Sequence, residues 1–252
     1  MLACDAICAN PVDTIKTVGA YFPDDMPFGV TQMKHKDGSS THEQWIRREY
    51  MRVRTVTESA LLAELRETYA GLLNTLSNYV LGDEVLEAYG IDGAATVENL
   101  PDLGRFEGVH NVLGFRRYAA EGQFHFEGEV EGYWQGTAHF TWQMIGIAYG
   151  GGDNPAPVLC LRVLHQGSAR MKLDDGTGVA NFQTGYEPHL TLHEVALLAG
   201  MAERAVRNAT LDSASDRLKT VADGSRVVVE APEALRWLRG RRGFIETQRV
   251  QG

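Results

Sequence analysis

The chain has 252 residues, of which 44% are hydrophobic and 23% are charged, and this composition excludes an intrinsically disordered protein. The formal net charge of −9 argues against a protein that coats nucleic acid by bulk electrostatic attraction. No apolar run approaches the length of a membrane span, and the first residues lack the basic region of a secretory signal, so we expect a cytoplasmic protein.

The amino-terminal segment is predicted to be irregular. Pro11, Pro23 and Pro27 interrupt it, and a turn is expected at residues 37–40, although residues 12–21 have room for one short element. A helix is expected over residues 42–54, with charge on one side and apolar residues available for packing on the other.

A long helix is predicted over residues 58–81. Leucine and tyrosine recur there at helical spacing, with Thr55 or Thr57 as a candidate cap and Gly82 as a stop. Residues 83–89 begin another short helix. The apolar stripe fits core packing better than a dimer seam, because it has the width of a core-facing helix.

Residues 105–186 change to frequent glycines and to alternating polar and apolar residues. Four segments, 124–130, 138–147, 158–164 and 169–173, are separated by turn-forming residues at 150–155 and 174–176. This pattern predicts an antiparallel sheet. We therefore expect residues 1–186 to form an α+β domain, helical to about residue 100 and β-rich over 105–186, that senses a signal or oligomerises.

The most informative pattern lies at residues 192–211, which have the spacing of two short helices that cross steeply. Thr191 and Glu194 form a Thr-x-x-Glu capping box at the start. Ala196 is small enough for close approach of a second helix, and Gly200 tolerates the positive φ of the turn. The apolar positions of this pattern are Val195, Ala199, Met201, Val206 and Ala209. The spacing predicts a helix-turn-helix, a candidate DNA-reading element.

Further elements are expected after this pair. Residues 218–222 and 226–230 read as two strands joined through Asp223-Gly224, a strong hairpin turn. Pro232 suits the first turn of a helix, and Ala234 to Leu238 continue as an amphipathic helix with Gly240 as a stop. The hairpin would be a wing, and the third helix would close a domain of residues 187–252.

Residues 187–247 resemble the small winged helix-turn-helix domains of MerR-type regulators and of AlpA or phage excisionase proteins. The matching parts are the core from Leu192 to Ala209, the turn from Asp223 to Arg226, and the Pro-x-Ala-x-x-Trp-Leu run from Pro232 to Leu238. The chain lacks the long carboxy-terminal coiled coil of full MerR regulators, and its matching region follows 186 other residues. The resemblance implies DNA binding and does not extend to MerR effector chemistry.

The charge is unevenly distributed. Residues 187–252 hold ten basic and nine acidic residues, so the remainder carries −10. A nearly neutral domain with one basic face suits specific binding to double-stranded DNA. We expect the second helix to read base edges and the wing and the last basic residues to contact phosphates or the minor groove. The predicted DNA-binding residues are Glu203, Arg204, Arg207, Asn208, Lys219, Arg226, Arg239, Arg241 and Arg242.

Three functional interpretations remain open. The first is a sequence-specific transcriptional regulator acting as a homo-oligomer, with an excisionase-like architectural DNA binder as its variant. The second is a protein-interaction unit beside an acidic amino-terminal domain that carries the activity. The third is a plain structural helix pair that matches by accident; the capping box, turn glycine and wing would all have to coincide.

The sequence does not support an enzyme. His125 and His139 lie in predicted strands near several glutamates, but no ligand-spacing motif accompanies them. His189 and His193 are four residues apart, but the predicted cap at Thr191 falls between them. The Glu-Val-Ala-Leu that follows His193 does not contain the second histidine of a zinc protease motif. Cys4, Cys8 and Cys160 are read as reduced thiols. We predict no catalytic residue, no metal site and no cofactor.

Overall fold

The computed structural model describes residues 46, 49–149, 155–182 and 189–250, and it combines helices with two small sheets. Residue 46 and residues 49–52 are helical, within the helix expected over 42–54, and the helix ends two residues earlier than predicted. The remaining helices are α1 Glu58–Leu76, α2 Glu84–Ala88, α3 Glu107–Glu121, α4 Glu127–Tyr149, α5 Val158–Thr177, α6 Leu192–Ala199, α7 Glu203–Ala209 and α8 Ala231–Leu238. The strands are β1 Gln123–Phe124, β2 His189–Thr191, β3 Val221–Asp223, β4 Arg226–Glu230 and β5 Gln248–Arg249. The mixed α and β content agrees with the predicted α+β class.

The long helix predicted over residues 58–81 is confirmed in position. Thr57 caps it by accepting a hydrogen bond from the Ala60 amide, and the last five residues form a π-helical turn, Ser77–Leu81. Gly82 ends the turn with a φ of +69°. The apolar face of α1 is buried in the main core, which confirms the core interpretation for that helix. Tyr79 and Val80, at the end of the predicted stripe, are exposed.

The prediction of an antiparallel sheet over residues 105–186 is wrong. The described part of that range is mostly helical and forms α3, α4 and α5, with β1 as its only strand. Several glycines that suggested turns are packing positions within these helices. An added Cβ at Gly167 would lie 2.3 Å from the Phe115 ring, and one at Gly114 would lie 2.7 Å from the Tyr133 ring. The predicted loop at 150–155 falls mainly on residues outside the described ones.

The two sheets connect distant parts of the chain. In the three-stranded sheet, β4 lies between β2 and β3, and both pairings are antiparallel. Gly224 has a φ of +58° in the β3–β4 turn, as expected for Asp-Gly. In the two-stranded sheet, β5 pairs in parallel with β1, so the segment after α8 returns to α3.

Helix α5 is shared by two parts of the core. Its residues Cys160, Val163, Leu164 and Met171 belong to the large cluster formed with α1, α3 and α4. Ala169 and Leu173, on the same helix, pack among the buried residues of α6, α7, β4 and α8. The predicted boundary between residues 186 and 187 falls in 183–188, outside the described residues, and the two-domain division stays a prediction.

Among the described residues, no helix is both long and apolar enough to cross a lipid bilayer.

Candidate functional site

Helices α6 and α7 form a compact pair whose turn is set by local sequence. The Thr191 hydroxyl accepts from the Glu194 amide and the Glu194 carboxylate accepts from the Thr191 amide, so the predicted capping box is confirmed. Gly200 ends α6 with a φ of +63°. Ala196 and Val206 are buried between the two helices, at the positions where the spacing required small or apolar side chains.

The outer face of α7 presents three of the predicted residues to solvent. Arg204, Arg207 and Asn208 are exposed, while Val206 is fully buried, so the helix has the orientation that the sequence predicts. Arg207 donates to Glu203 over 2.8 Å. Glu203 is only partly exposed and also lies beside His193. The face therefore offers Arg204 and Asn208 directly and Arg207 as half of an ion pair.

The hairpin β3–β4 extends away from the core. Val228 and Val229 are buried, whereas residues 221–227 are all exposed. Lys219, which precedes β3, and Arg226, which begins β4, are both exposed, as a phosphate-contacting role requires. The backbone amide of Lys219 donates to Glu233 of α8, which ties the base of the hairpin to that helix.

The arginines after α8 are less available than the sequence suggests. Arg239 makes a two-pronged contact with Glu246, at 2.6 and 3.0 Å. Arg241 pairs with Asp216 and stacks over the Trp237 ring, 3.9 Å from its centroid. Arg242 is exposed. The expected basic cluster is therefore largely neutralised by acidic neighbours, which reduces its capacity to attract phosphates.

A polar cluster that the sequence does not reveal lies where α5 meets α6. The Tyr50 hydroxyl is 2.9 Å from His165 Nδ1 and 3.4 Å from His193 Nε2. Arg162 is almost completely buried, and its guanidinium lies 5.3 Å from the centre of the Tyr50 ring. Burial raises the pKa of Tyr50 to about 12, so its hydroxyl stays protonated. Tyr50, the α5 residues Arg162 and His165, and His193 come from three distant parts of the sequence, and no local pattern connects those parts.

Burial controls the ionisation of both histidines. It lowers the pKa of His165 to about 3, and the nearby His193 and Arg162 add to this effect. Burial also lowers the pKa of His193, although the carboxylate of Glu203 opposes that change. Both imidazoles are therefore neutral near pH 7.

We expect this burial to make folding stability depend on pH. Because the folded pKa of His165 is about 3 and the unfolded pKa is about 6.5, the unfolded chain gains the proton first as the pH falls. The stability contributed by neutral His165 is complete above the unfolded pKa and decreases below it. When the pH falls from 8 to 5, this histidine should lower the free energy of unfolding by roughly 2 kcal/mol, at about 1.4 kcal/mol for each pH unit below the unfolded pKa.

The measurement is the free energy of unfolding against pH for the wild type and for His165→Gln. The difference between the two curves is needed because burial raises the pKa of Glu64 to about 7 and that of Asp174 to about 6, and these groups act in the opposite direction. Parallel curves for the two proteins would contradict a buried, neutral His165.

The other candidate residues lie apart from one another. His125 and His139 are both exposed, His125 between β1 and α4 and His139 on α4 rather than on strands as predicted. Within the described residues, no group of three or more His, Cys, Asp or Glu side chains could hold a metal ion. Cys160 is a free, buried thiol whose pKa is raised by burial.

A cleft of about 710 Å³ opens beside the π-helical turn. Its lining includes Glu67 of α1, Asp83 and Glu87 near α2, and Asp92 in the following loop. The cleft has an acidic lining, which is unsuited to contacting phosphates.

No family model matches this chain, and neither the curated proteins nor the solved structures include one that is significantly similar to it.

Proposed function

We propose that residues 187–252 form a winged helix-turn-helix and that the protein binds double-stranded DNA in a sequence-specific manner, as a cytoplasmic transcriptional regulator. The observation that carries this proposal is the exposed face of α7, where Arg204 and Asn208 project from a helix anchored by buried Val206. Arginine can donate two hydrogen bonds to guanine and asparagine can pair with adenine in the major groove. In this arrangement α7 is the recognition helix, and the β3–β4 hairpin is the wing.

The charge distribution favours specific over general binding. Arg204, Lys219 and Arg242 are exposed, whereas Arg239 and Arg241 have carboxylate partners. A DNA-binding domain with few phosphate contacts gains little affinity from non-specific attraction, so its affinity depends on base contacts. A single domain of this size covers a short site, so we propose that the protein acts as a homo-oligomer on repeated half-sites.

Selection of bound duplexes followed by fluorescence anisotropy tests the proposal on the full chain. The selected duplex should bind more tightly than random duplex at moderate salt. With about three phosphate contacts, affinity should fall about 40-fold between 50 and 200 mM salt. If no duplex is enriched and binding is equal for all sequences, the proposed function is wrong.

Arg204→Ala is expected to relax discrimination at one base pair by about 1 to 3 kcal/mol without changing the thermal stability. The side chain is exposed, so its removal leaves the packing of α6 and α7 intact. The measurement compares the affinities of single-base variants of the selected duplex. Arg117→Ala, an exposed arginine on α3, is the matched control and should bind as the wild type does. Unchanged discrimination in Arg204→Ala would contradict the assignment of α7 as the recognition helix.

A second candidate function is a protein-interaction unit, and the neutralised arginines favour it. Arg236 pairs with Glu233 and Asp216, and Arg239 pairs with Glu246, so this part of the surface carries alternating charge rather than a basic stripe. The same selection experiment separates the two functions, because an interaction unit would enrich no duplex.

A further inference from the structure

A path of hydrogen-bonding side chains runs to α7 from the helices that precede β2, which are called the helical body below. His165 Nδ1 of α5 lies 2.9 Å from the Tyr50 hydroxyl, which lies 3.4 Å from His193 Nε2 of α6. His193 Nδ1 is in turn 3.4 Å from Glu203 Oε2, at the first residue of α7. Four side chains from four separate segments therefore meet end to end.

The contacts in this path are satisfied when each group donates to the next one toward α7. His165 Nδ1–H donates to the Tyr50 oxygen, the Tyr50 hydroxyl donates to His193 Nε2, and His193 Nδ1–H donates to the Glu203 carboxylate. In this arrangement His193 is neutral, because its Nε2 accepts from the Tyr50 hydroxyl.

Both carboxylate oxygens of Glu203 are engaged inside the protein. Oε2 faces His193, and Oε1 accepts from Arg207 Nη2 over 2.8 Å. A carboxylate held from two sides in this way fixes the start of α7 against α6 and sets the direction of Arg207. It is poorly placed to accept from a base edge as well, which was the role expected for Glu203 from the sequence.

We infer that Glu203 is a positioning residue rather than a base-reading residue, and that His193 and Tyr50 hold it in place. Through them the orientation of α7 depends on the helical body. This inference rests on the proposed function, because α7 is the recognition helix only if the protein binds DNA. The arrangement of the four side chains is independent of that function and is tested separately.

The charged and titratable groups around His193 come from every neighbouring segment. Tyr50 and Arg162 face it from the body, Glu194 lies on its own helix, and Glu203 lies on α7. His165 completes the group on α5 and also interacts with His193. Glu203 and Glu194 favour the protonated ring, while burial and Arg162 favour the neutral ring.

The first experiment follows the titration of His193 by NMR in the full chain without DNA. Glu203→Gln should lower the pKa of His193 further, because the variant removes a carboxylate that favours protonation. Tyr50→Phe should raise it, because the variant removes a donor that requires the neutral ring. Glu98→Gln, an exposed carboxylate far along the chain, is the control and should leave the titration unchanged. If both variants titrate as the wild type does, the path does not exist.

The second experiment measures binding of the selected duplex and of its single-base variants. Glu203→Gln should weaken binding to all of them by a similar factor, about threefold, as expected for loss of a partly exposed ion pair. The order of base preference should be retained. A change of preference at one base pair, with the others unaffected, would show that Glu203 reads a base and would overturn the inference.

His193→Asn and His193→Ala provide the matched pair. The asparagine amide can replace the Nδ1–H donor toward Glu203, so this variant should bind DNA within about twofold of the wild type, whereas alanine should lose affinity as Glu203→Gln does. Equal losses in the two variants would overturn the positioning role. If the wild type binds no duplex while the NMR titrations behave as expected, the proposed function fails and the hydrogen-bonding path stands.

Discussion

Replacing Arg170 with methionine is expected to lower the free energy of unfolding by about 3 to 5 kcal/mol, the usual cost of removing one partner from a buried charged network. Arg170 is 1% exposed. Its guanidinium donates to the carbonyl oxygens of Ala119 and Ile245 and to the Thr247 hydroxyl. Methionine keeps the unbranched apolar part of the side chain but removes the guanidinium, so each of these oxygens loses a donor.

The same substitution tests how far the ionisation of Asp174 depends on Arg170. This buried carboxylate accepts from Tyr118 and Thr247, and burial raises its pKa to about 6. The positive charge of Arg170 opposes that rise, so Arg170→Met should raise the pKa of Asp174 further. Asp174→Asn in the Arg170→Met background should therefore cost less than it does in the wild type.

Chemical unfolding of the two single variants and the double variant measures this coupling. Arg117→Met, which truncates an exposed arginine on α3, is the control and should change stability by less than about 0.5 kcal/mol. A loss below about 1 kcal/mol in Arg170→Met would contradict the buried network described here.

Replacing Glu64 with alanine is expected to lower the free energy of unfolding by about 2 to 6 kcal/mol, because two partly buried amides would lose their acceptor at about 1 to 3 kcal/mol each. The Glu64 carboxylate on α1 accepts from the amides of Leu159 and Cys160, at 2.7 and 2.8 Å. These amides belong to the first turn of α5, where no carbonyl within the helix can serve them. Glu64 therefore acts as a cap supplied from a different helix.

Glu67→Ala is the matched control, since Glu67 is an exposed glutamate one turn further along α1. Unfolding by urea should show a clear loss for Glu64→Ala and a loss within about 0.5 kcal/mol for Glu67→Ala. Glu64→Gln should lie between them, because an amide oxygen can serve one of the two donors. Similar stability for the alanine and wild-type proteins would show that α5 begins without help from Glu64.

The parts of the fold that the sequence predicts are those with local causes. The Thr191 and Glu194 capping box, the left-handed Gly200 and the Asp-Gly hairpin turn each involve residues within a few positions of one another. Structure agrees with prediction at all three. The α1 helix was equally predictable, because its apolar residues repeat over nineteen residues behind a capping threonine.

The helices α3, α4 and α5 were missed because their glycines respond to tertiary packing. Glycine lowers helix propensity, so its repetition over residues 104–178 favoured turns. In the folded protein Gly114 and Gly167 leave room for the rings of Tyr133 and Phe115. The contact that justifies each glycine comes from another helix, and no short window of sequence contains both partners.

The candidate site was predictable in its exposed residues and unpredictable in its ion pairs. The exposure of Arg204 and Asn208 follows from helical spacing around Val206. Arg241 pairs with Asp216, which follows α7, and Arg239 pairs with Glu246, which follows α8. Both pairs depend on how these two segments fold back against the end of α8. Tyr50, His165 and His193 meet because the helix that carries Tyr50 packs with α5 and α6 in one buried cluster.

The sharing of α5 has a consequence for how the protein melts. Since Ala169 and Leu173 contribute to the same apolar cluster as Trp237 and Val195, a heated molecule cannot lose one half of its interior and retain the other. Calorimetry should register a single cooperative transition. A fragment that ends before β2 would expose Ala169 and Leu173 of α5, which residues after β2 normally cover. We expect this fragment to aggregate instead of folding alone.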